Sequence, residues 1–140
     1  MDIVDFREYC LSLPNTEETL PFDDSTLVYK VGGRIFAAIF IERPDHFVVK
    51  CDPDRAVLLR DRYWQIRPAW HFNKRHWNDV YFEGLADDFL RSLVRHSYRC
   101  VLQGVSPKSL REELCAAAAA EGQLARQVHA LARSLRLGAL

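Results

Sequence analysis

The chain begins with a helical spacing of apolar residues. Ile3, Phe6, Cys10 and Leu13 recur at intervals of three or four positions, which predicts a helix over residues 2–13. The next ten residues, 15–24, are acidic and include a proline. This composition predicts a loop that lies outside the core.

A strand-like pattern replaces the helical one further along. Apolar and β-branched residues dominate residues 27–31 and 34–41, with Gly32-Gly33 between them. Two glycines between such runs are typical of a β-hairpin. Residues 34–41 are apolar on both faces in part, which favours a central strand. A third strand is predicted over residues 46–51.

The second half of the first hundred residues repeats helix and strand signals. Asp52-Pro53 predicts a helix start, with the aspartate as N-cap and the proline at the first helical position. Two strands are predicted at residues 65–72 and 76–82, on either side of a polar turn at 73–75. A long helix is predicted over residues 86–103.

The remaining residues differ in composition and keep a helical spacing throughout. Ser106-Pro107 predicts a new helix start, and Ser109-x-x-Glu112 resembles a capping box. The apolar stripe of this helix comprises Leu110, Leu114, Leu124, Val128, Leu131 and Leu135. We therefore predict a first domain over residues 1–104 and a C-terminal helical extension over residues 105–140.

The order of the predicted elements is helix, three strands, helix, two strands and helix, followed by the extra helix. Strands joined by hairpins form an antiparallel sheet, and helices interspersed among them cover one of its faces. The sequence thus predicts a two-layer α+β fold of α-β(3)-α-β(2)-α order with a C-terminal helix.

Charge is zero overall but unevenly distributed over the 140 residues. Residues 1–26 carry seven acids and one base, whereas residues 55–76 carry six bases and one acid. Zero net charge argues against strong, indiscriminate binding to nucleic acid or membrane, but it leaves room for a local basic patch.

The four cysteines form no C-x-x-C pair, and the N-terminus is acidic where a signal peptide would be basic. These features predict a cytoplasmic protein with reduced thiols.

Several separated motifs resemble the MmcQ/YjbR family. The resemblance is carried by Leu20-Pro21-Phe22-Asp23, Thr26-Leu27-Val28-Tyr29-Lys30-Val31-Gly32-Gly33-Arg34-Ile35-Phe36-Ala37, Lys50-Cys51-Asp52-Pro53, Pro68-Ala69-Trp70-His71-Phe72-Asn73-Lys74-Arg75-His76-Trp77-Asn78-Asp79-Val80 and His96-Ser97-Tyr98. It covers residues 1–104 and implies a CyaY-like or secretion-chaperone-like fold. It also implies DNA binding, and it implies no catalytic residue.

A DNA-binding surface is therefore predicted near residues 55–76. Its residues would be Arg55, Arg62, Arg67, Asn73, Lys74, Arg75 and His76. The cations would neutralise phosphates and release counterions, and the asparagine and histidine would donate or accept hydrogen bonds. Trp70 or Trp77 would stack on an exposed base if either lies at the surface.

Three other interpretations remain open from the sequence. The main rival is a protein- or peptide-binding module with no nucleic-acid role, which would form a homodimer through the leucines of the C-terminal helix. A metal site would need His71 and His76 to meet Cys51 or Asp52, and catalysis would need a pair such as Cys51 with His71. We predict no metal, because the tight Cys/His pairs of structural zinc sites are absent. We also predict no cofactor and no enzymatic activity, because no nucleotide-binding or nucleophile motif is present.

Overall fold

A computed structural model describes residues 1–138, without the side chains of 125, 128, 129 and 132–138. The elements in chain order are α1 (Ile3–Ser12), β1 (Glu17–Thr19), β2 (Thr26–Val31), β3 (Arg34–Phe40), β4 (Arg43–Lys50), α2 (Pro53–Arg62), β5 (Ile66–Pro68), β6 (Trp77–Tyr81), α3 (Asp87–Leu102) and α4 (Lys108–Gly138). The six strands form one antiparallel sheet in the order β1-β2-β3-β4-β6-β5. The predicted α+β class is confirmed.

One face of this sheet is covered by helices. Phe6 of α1, Leu90 and Val94 of α3, and Phe36 and Phe47 of the central strands are completely buried in one apolar cluster. We call this side of the sheet the helix face. The other side, the open face, carries a smaller buried cluster of Val28, Ala38, Val48 and Ala69.

The acidic segment after α1 contains a strand that the sequence pattern does not predict. β1 pairs with β2, so that Glu17 lies opposite Lys30 and Glu18 lies opposite Tyr29. The carboxylate of Glu18 accepts hydrogen bonds from Arg7 Nε at 2.7 Å and from the Tyr29 hydroxyl at 2.8 Å. Because these partners come from α1 and β2, the segment forms an edge strand despite its polar composition. The predicted order of three strands before α2 is corrected to four.

The predicted fourth strand is shorter than expected. β5 ends at Pro68, and residues 69–76 leave the sheet edge and fold across the open face. The Asp79 carboxylate accepts a hydrogen bond from the Trp70 backbone N–H at 3.3 Å. The Ala69 N–H donates to the Trp77 carbonyl at 3.0 Å, so this segment remains tied to β6.

The start of α4 packs on the same core as the rest of the chain. Leu114 and the preceding Val105 are buried, and a Cβ added at Gly32 would lie 2.7 Å from the Val105 side chain. The predicted capping box is wrong, since Ser109 lies inside the first turn and Glu112 instead pairs with Lys108 at 3.7 Å.

Further along α4, two leucines of the predicted stripe face solvent. Leu124 and Leu131 are exposed. The predictions for Val128 and Leu135 concern side chains outside the described part of the chain. Across residues 1–138, no helix has both the length and the apolar composition needed to cross a membrane.

Candidate functional site

Residues 69–76 form a cover over one end of the open face, and the side chain of Phe72 anchors it. The Phe72 and Trp77 ring centroids lie 4.9 Å apart, and Ala69 at the start of the cover is completely buried. The Cys51 N–H donates to the His76 carbonyl at 2.7 Å, which fixes the end of the cover to the start of α2. The polar residues of the cover are therefore held on a defined backbone.

Arg60 of α2 joins the helix to this cover. Its Nε donates to Asn78 Oδ1 at 2.7 Å, and its Nη2 donates to the carbonyls of Lys74 and Trp77, the latter at 3.2 Å. Asn78 is buried on the helix face, so Arg60 satisfies a polar group that water does not reach. This arginine therefore has a structural role beside the predicted cations.

Lys74 and Trp70 form a compact pair at the surface of the cover. Lys74 Nζ donates to the carbonyls of Ala69 and Trp70 at 3.1 and 3.2 Å and lies 5.4 Å from the Trp70 ring centroid. Trp70 nevertheless remains 74% exposed. The ammonium group thus orients an indole ring whose remaining surface is open to solvent.

A second exposed tryptophan lies at the opposite end of β5. Trp64 is 60% exposed, and its carbonyl accepts a hydrogen bond from Arg67 Nε at 3.3 Å. Arg67 is on β5 itself, between the two tryptophans, and Arg62 lies just before them at the end of α2. We define the β5 rim as Arg62, Trp64, Arg67, Trp70, Lys74 and Arg75.

All four cations of the β5 rim are exposed, and within residues 1–138 none of them forms an ion pair. The positive charge of this rim is therefore not neutralised by neighbouring carboxylates. β5 is an edge strand, so no other strand of the sheet covers its outer side.

The other predicted site residues lie away from the rim or have structural roles. Arg55 lies at the first turn of α2, where its Nη1 is 3.2 Å from His96 Nδ1. Asn73 Oδ1 accepts the Arg75 backbone N–H at 3.0 Å and so shapes the turn. His76 is half-buried next to that turn, and Trp77 packs in the small buried cluster.

The open face also contains a polar cluster that the sequence pattern does not indicate. His46 and Asp79 are both buried on adjacent strands, and the His46 ring stacks on Tyr81 with centroids 5.0 Å apart. Burial raises the pKa of Asp79, while the nearby His46, His71 and Lys74 and the Trp70 N–H act in the opposite direction. His46 Nδ1 lies 2.8 Å from the exposed Asp45 carboxylate.

The structure does not bring together the pairs considered for metal binding or catalysis. Cys51 borders a small cavity on the helix face with Leu59 and His96, whereas His71 lies against Phe40 on the open face. Burial raises the pKa of the Cys51 thiol to about 11. In the part of the chain that the structure describes, no three His, Cys, Asp or Glu side chains are grouped so as to hold a metal ion.

The family can be established from comparison with known proteins. The family model named YjbR matches residues 11–100. This chain belongs to the YjbR family. It is 34% identical over 104 residues to the uncharacterised protein YbdF of Escherichia coli O157:H7, which covers 73% of this chain and 85% of YbdF. The uncharacterised protein YjbR of Escherichia coli K12 is 34% identical over 101 residues, covering 71% of this chain and 86% of YjbR.

Two solved structures share the fold. The crystal structure of Deinococcus radiodurans protein DR2400, which contains a DUF419 domain, is 39% identical with a TM-score of 0.74 and covers 80% of this chain and 86% of its own. A Pseudomonas syringae protein is 22% identical with a TM-score of 0.63, covering 71% of this chain and 98% of its own, and shows the fold alone. The β5 rim lies inside the part of the chain that matches the YjbR family, whereas α4 lies beyond it.

Proposed function

We propose that the protein binds nucleic acid through the β5 rim, with a preference for single strands. The observation that carries this proposal is the exposure of Trp64 and Trp70 among four cations that have no carboxylate partner in the described chain. Proteins that bind single strands combine a cationic track for the phosphates with aromatic rings on which bases stack.

The cations and the tryptophan rings of the β5 rim have separate effects on binding. Lysine and arginine contacts to phosphate release counterions, so the affinity falls steeply as salt rises. Stacking of a base on an indole ring contributes about 1–3 kcal/mol and depends little on base identity. The rim therefore favours binding that depends on salt but hardly on sequence.

The position of the tryptophans favours single strands over a duplex. Bases in a duplex are stacked on each other and present only their edges in the grooves. Trp64 and Trp70 lie on either side of the edge strand β5 and are mostly exposed, so their rings are accessible to unstacked bases. This proposal keeps the predicted Arg62, Arg67, Lys74 and Arg75 and adds Trp64 to them.

The test is fluorescence anisotropy with labelled single-stranded and duplex DNA of the same sequence, at several salt concentrations. The Trp64→Ala/Trp70→Ala variant should lose most single-strand affinity with little change in salt dependence. The Arg67→Ala/Arg75→Ala variant should reduce the slope of log affinity against log salt by roughly 1.4, at about 0.7 per phosphate contact. The Lys108→Ala/Arg111→Ala variant removes two cations from α4 and should leave binding unchanged.

Two outcomes would contradict the proposal. One is an absence of binding to both DNA forms at low salt, where electrostatic attraction is strongest. The other is an equal loss of affinity in the α4 control, which would show that any two cations on the surface suffice. Circular dichroism of each variant checks that the fold is retained.

A second candidate function is self-association through α4. Leu124 and Leu131 are seven residues apart, and both are exposed, at 59% and 61%. A seven-residue spacing of leucines is the pattern of a coiled-coil seam. Light scattering of the wild type and a Leu124→Ser/Leu131→Ser variant tests this candidate, since a dimer formed by this stripe should become monomeric in the variant.

The proposal assigns no reaction to the protein and places it in the cytoplasm. Support for this location comes from the four cysteines, which are present as free thiols in the structure. Burial raises the pKa of Cys10, Cys51 and Cys100, so these thiols are protonated and poorly reactive at neutral pH.

A further inference from the structure

A cavity of about 410 Å³ lies on the open face, away from the β5 rim. Two lysines border it, Lys30 and Lys50, together with Arg34, whose guanidinium lies beside Gly104 after the end of α3. Its apolar wall is formed by Pro21, Phe22, Ile35, Trp77 and Val101 of α3. No acidic residue borders the cavity.

The pairing of the strands places these side chains together. Lys30 lies opposite Ile35 because the register between β2 and β3 shifts by one residue after Tyr29. On the neighbouring strand pair, Lys50 lies opposite Trp77. Side chains at directly paired positions point to the same face of a sheet. Two lysines, an isoleucine and a tryptophan therefore form a row across β2, β3, β4 and β6.

The cations of this row carry unneutralised charge. Within residues 1–138, the side chains of Lys30 and Lys50 form no ion pair and no hydrogen bond, although both are half-buried. Glu17 is the acid opposite Lys30 on the edge strand β1, and it is exposed without pairing to the lysine. Placing like charges around a concave, partly apolar surface is unfavourable unless an anion enters it.

The lining also contains two aromatic rings with different exposure. Phe22 is 65% exposed at the mouth, whereas Trp77 is half-buried at the wall. Gly33 borders the same opening, and a Cβ built there meets nothing within 4 Å, so the entrance is clear. Small-molecule sites typically have volumes of about 300–1,000 Å³ and combine apolar walls with a few convergent polar groups.

We propose that this cavity binds a nucleoside monophosphate. The phosphate would lie between Lys30 and Lys50, and the base would contact Trp77 and Phe22. This site shares no residue with the β5 rim, so it does not depend on the proposed function of that rim.

The test is isothermal titration calorimetry at low salt with three probes: adenosine monophosphate, adenosine and inorganic phosphate. The nucleotide should bind at one site per chain and more tightly than either fragment. The Lys30→Ala/Lys50→Ala variant should weaken nucleotide binding by at least about tenfold per lysine removed, the effect typical of a charged hydrogen bond. The Phe22→Ala variant should bind the nucleotide more weakly but leave phosphate binding unchanged.

Two controls separate this site from others. Arg43→Ala removes an exposed cation that borders the neighbouring cavity on the same face, and it should have no effect on nucleotide affinity. The Arg67→Ala/Arg75→Ala variant of the β5 rim should also bind the nucleotide normally. Thermal melting of every variant confirms that the fold is intact.

The proposal is overturned by any of three results. One is the absence of measurable heat and of a thermal shift with millimolar nucleotide. The second is unchanged nucleotide binding in the folded Lys30→Ala/Lys50→Ala variant, which would place binding elsewhere. The third is equal affinity for the nucleotide and for one of its fragments. Equal affinity for adenosine would mean that the cations do not contribute, and equal affinity for inorganic phosphate would mean that the aromatic wall does not contribute.

Discussion

The two faces of the sheet are built from the same strands but are filled differently. On the helix face, large rings interlock: Phe6 stacks on Phe47 with centroids 4.5 Å apart, and Phe36 meets the Tyr98 ring edge-on at 5.2 Å. On the open face, the completely buried residues are smaller, namely Val28, Ala38, Val48 and Ala69. Charged and polar side chains surround this smaller cluster.

This difference in side-chain size explains the openings on the open face. Large side chains of the sheet and the helices fill the main core on the helix face. Small side chains covered only by residues 69–76 and Phe22 leave two openings on the other face, of about 410 and 500 Å³. The helix side has an opening of its own, of about 740 Å³, between α1, α3 and α4. The buried rings of the helix face therefore provide most of the stability, and openings large enough for a ligand lie on both sides of the sheet.

The largest expected difference is between two phenylalanines, one on each face. Phe6→Ala should lower the free energy of unfolding by about 3–5 kcal/mol, because it removes a completely buried ring from the main core. Phe22→Ala should change it by less than about 0.5 kcal/mol, because the ring is mostly exposed. Urea denaturation followed by circular dichroism measures both. Similar losses in the two variants would refute the assignment of stability to the helix face.

A smaller effect is expected at the point where α3 meets the sheet. Ser97 is completely buried, its Oγ accepts the Lys50 N–H at 2.8 Å, and its hydroxyl donates to the Phe36 carbonyl. Ser97→Ala leaves both backbone groups unpaired and should cost about 1–3 kcal/mol.

Ser92→Ala is the matched control on the same helix. The Ser92 hydroxyl donates only to the Phe89 carbonyl one turn earlier, at 2.6 Å, so its loss should cost less. If the two serine variants are equally stable, the bridge between α3 and strands β3 and β4 contributes little.

The sequence predicted those elements whose signals are local. Asp52 caps α2 and Pro53 occupies its first turn, as their order indicates. The Gly32-Gly33 turn has φ angles of +58° and +78°, which glycine adopts without strain. Short-range preferences of this kind do not depend on the rest of the fold.

Other parts of the structure depend on contacts that are distant in sequence. β1 forms because Glu18 meets Arg7 and Tyr29, and residues 69–76 leave the sheet because Asp79 and Trp77 bind their backbone. The sequence pattern does not indicate Trp64 as a site residue, because a tryptophan next to a predicted strand is usually expected in the core. Its exposure in the structure is what places it in the β5 rim. The cationic cavity combines residues from four strands, a loop and α3, a proximity that no local pattern reveals.

The smallest effect concerns the buried carboxyl group of the open face and depends on pH. Burial raises the pKa of Asp79 above its usual 3.8, against the opposing influence of His46, the Trp70 N–H, His71 and Lys74. The folded protein therefore binds this proton more readily than the unfolded chain, so Asp79 adds stability as pH falls through its folded pKa, up to a plateau below 3.8.

Asp79→Asn keeps an oxygen that can accept the Trp70 N–H but cannot titrate. The variant should be at least as stable as the wild type at neutral pH and should lose that advantage progressively on acidification. Comparing urea denaturation of the two proteins between pH 7 and pH 4 removes the opposite contributions of Glu18, Asp23 and Asp87, whose pKa values are lowered in the fold. An advantage that grows on acidification would instead show that the neighbouring cations stabilise the ionised form of Asp79, and the open face would then resemble a charged binding site more than a second core.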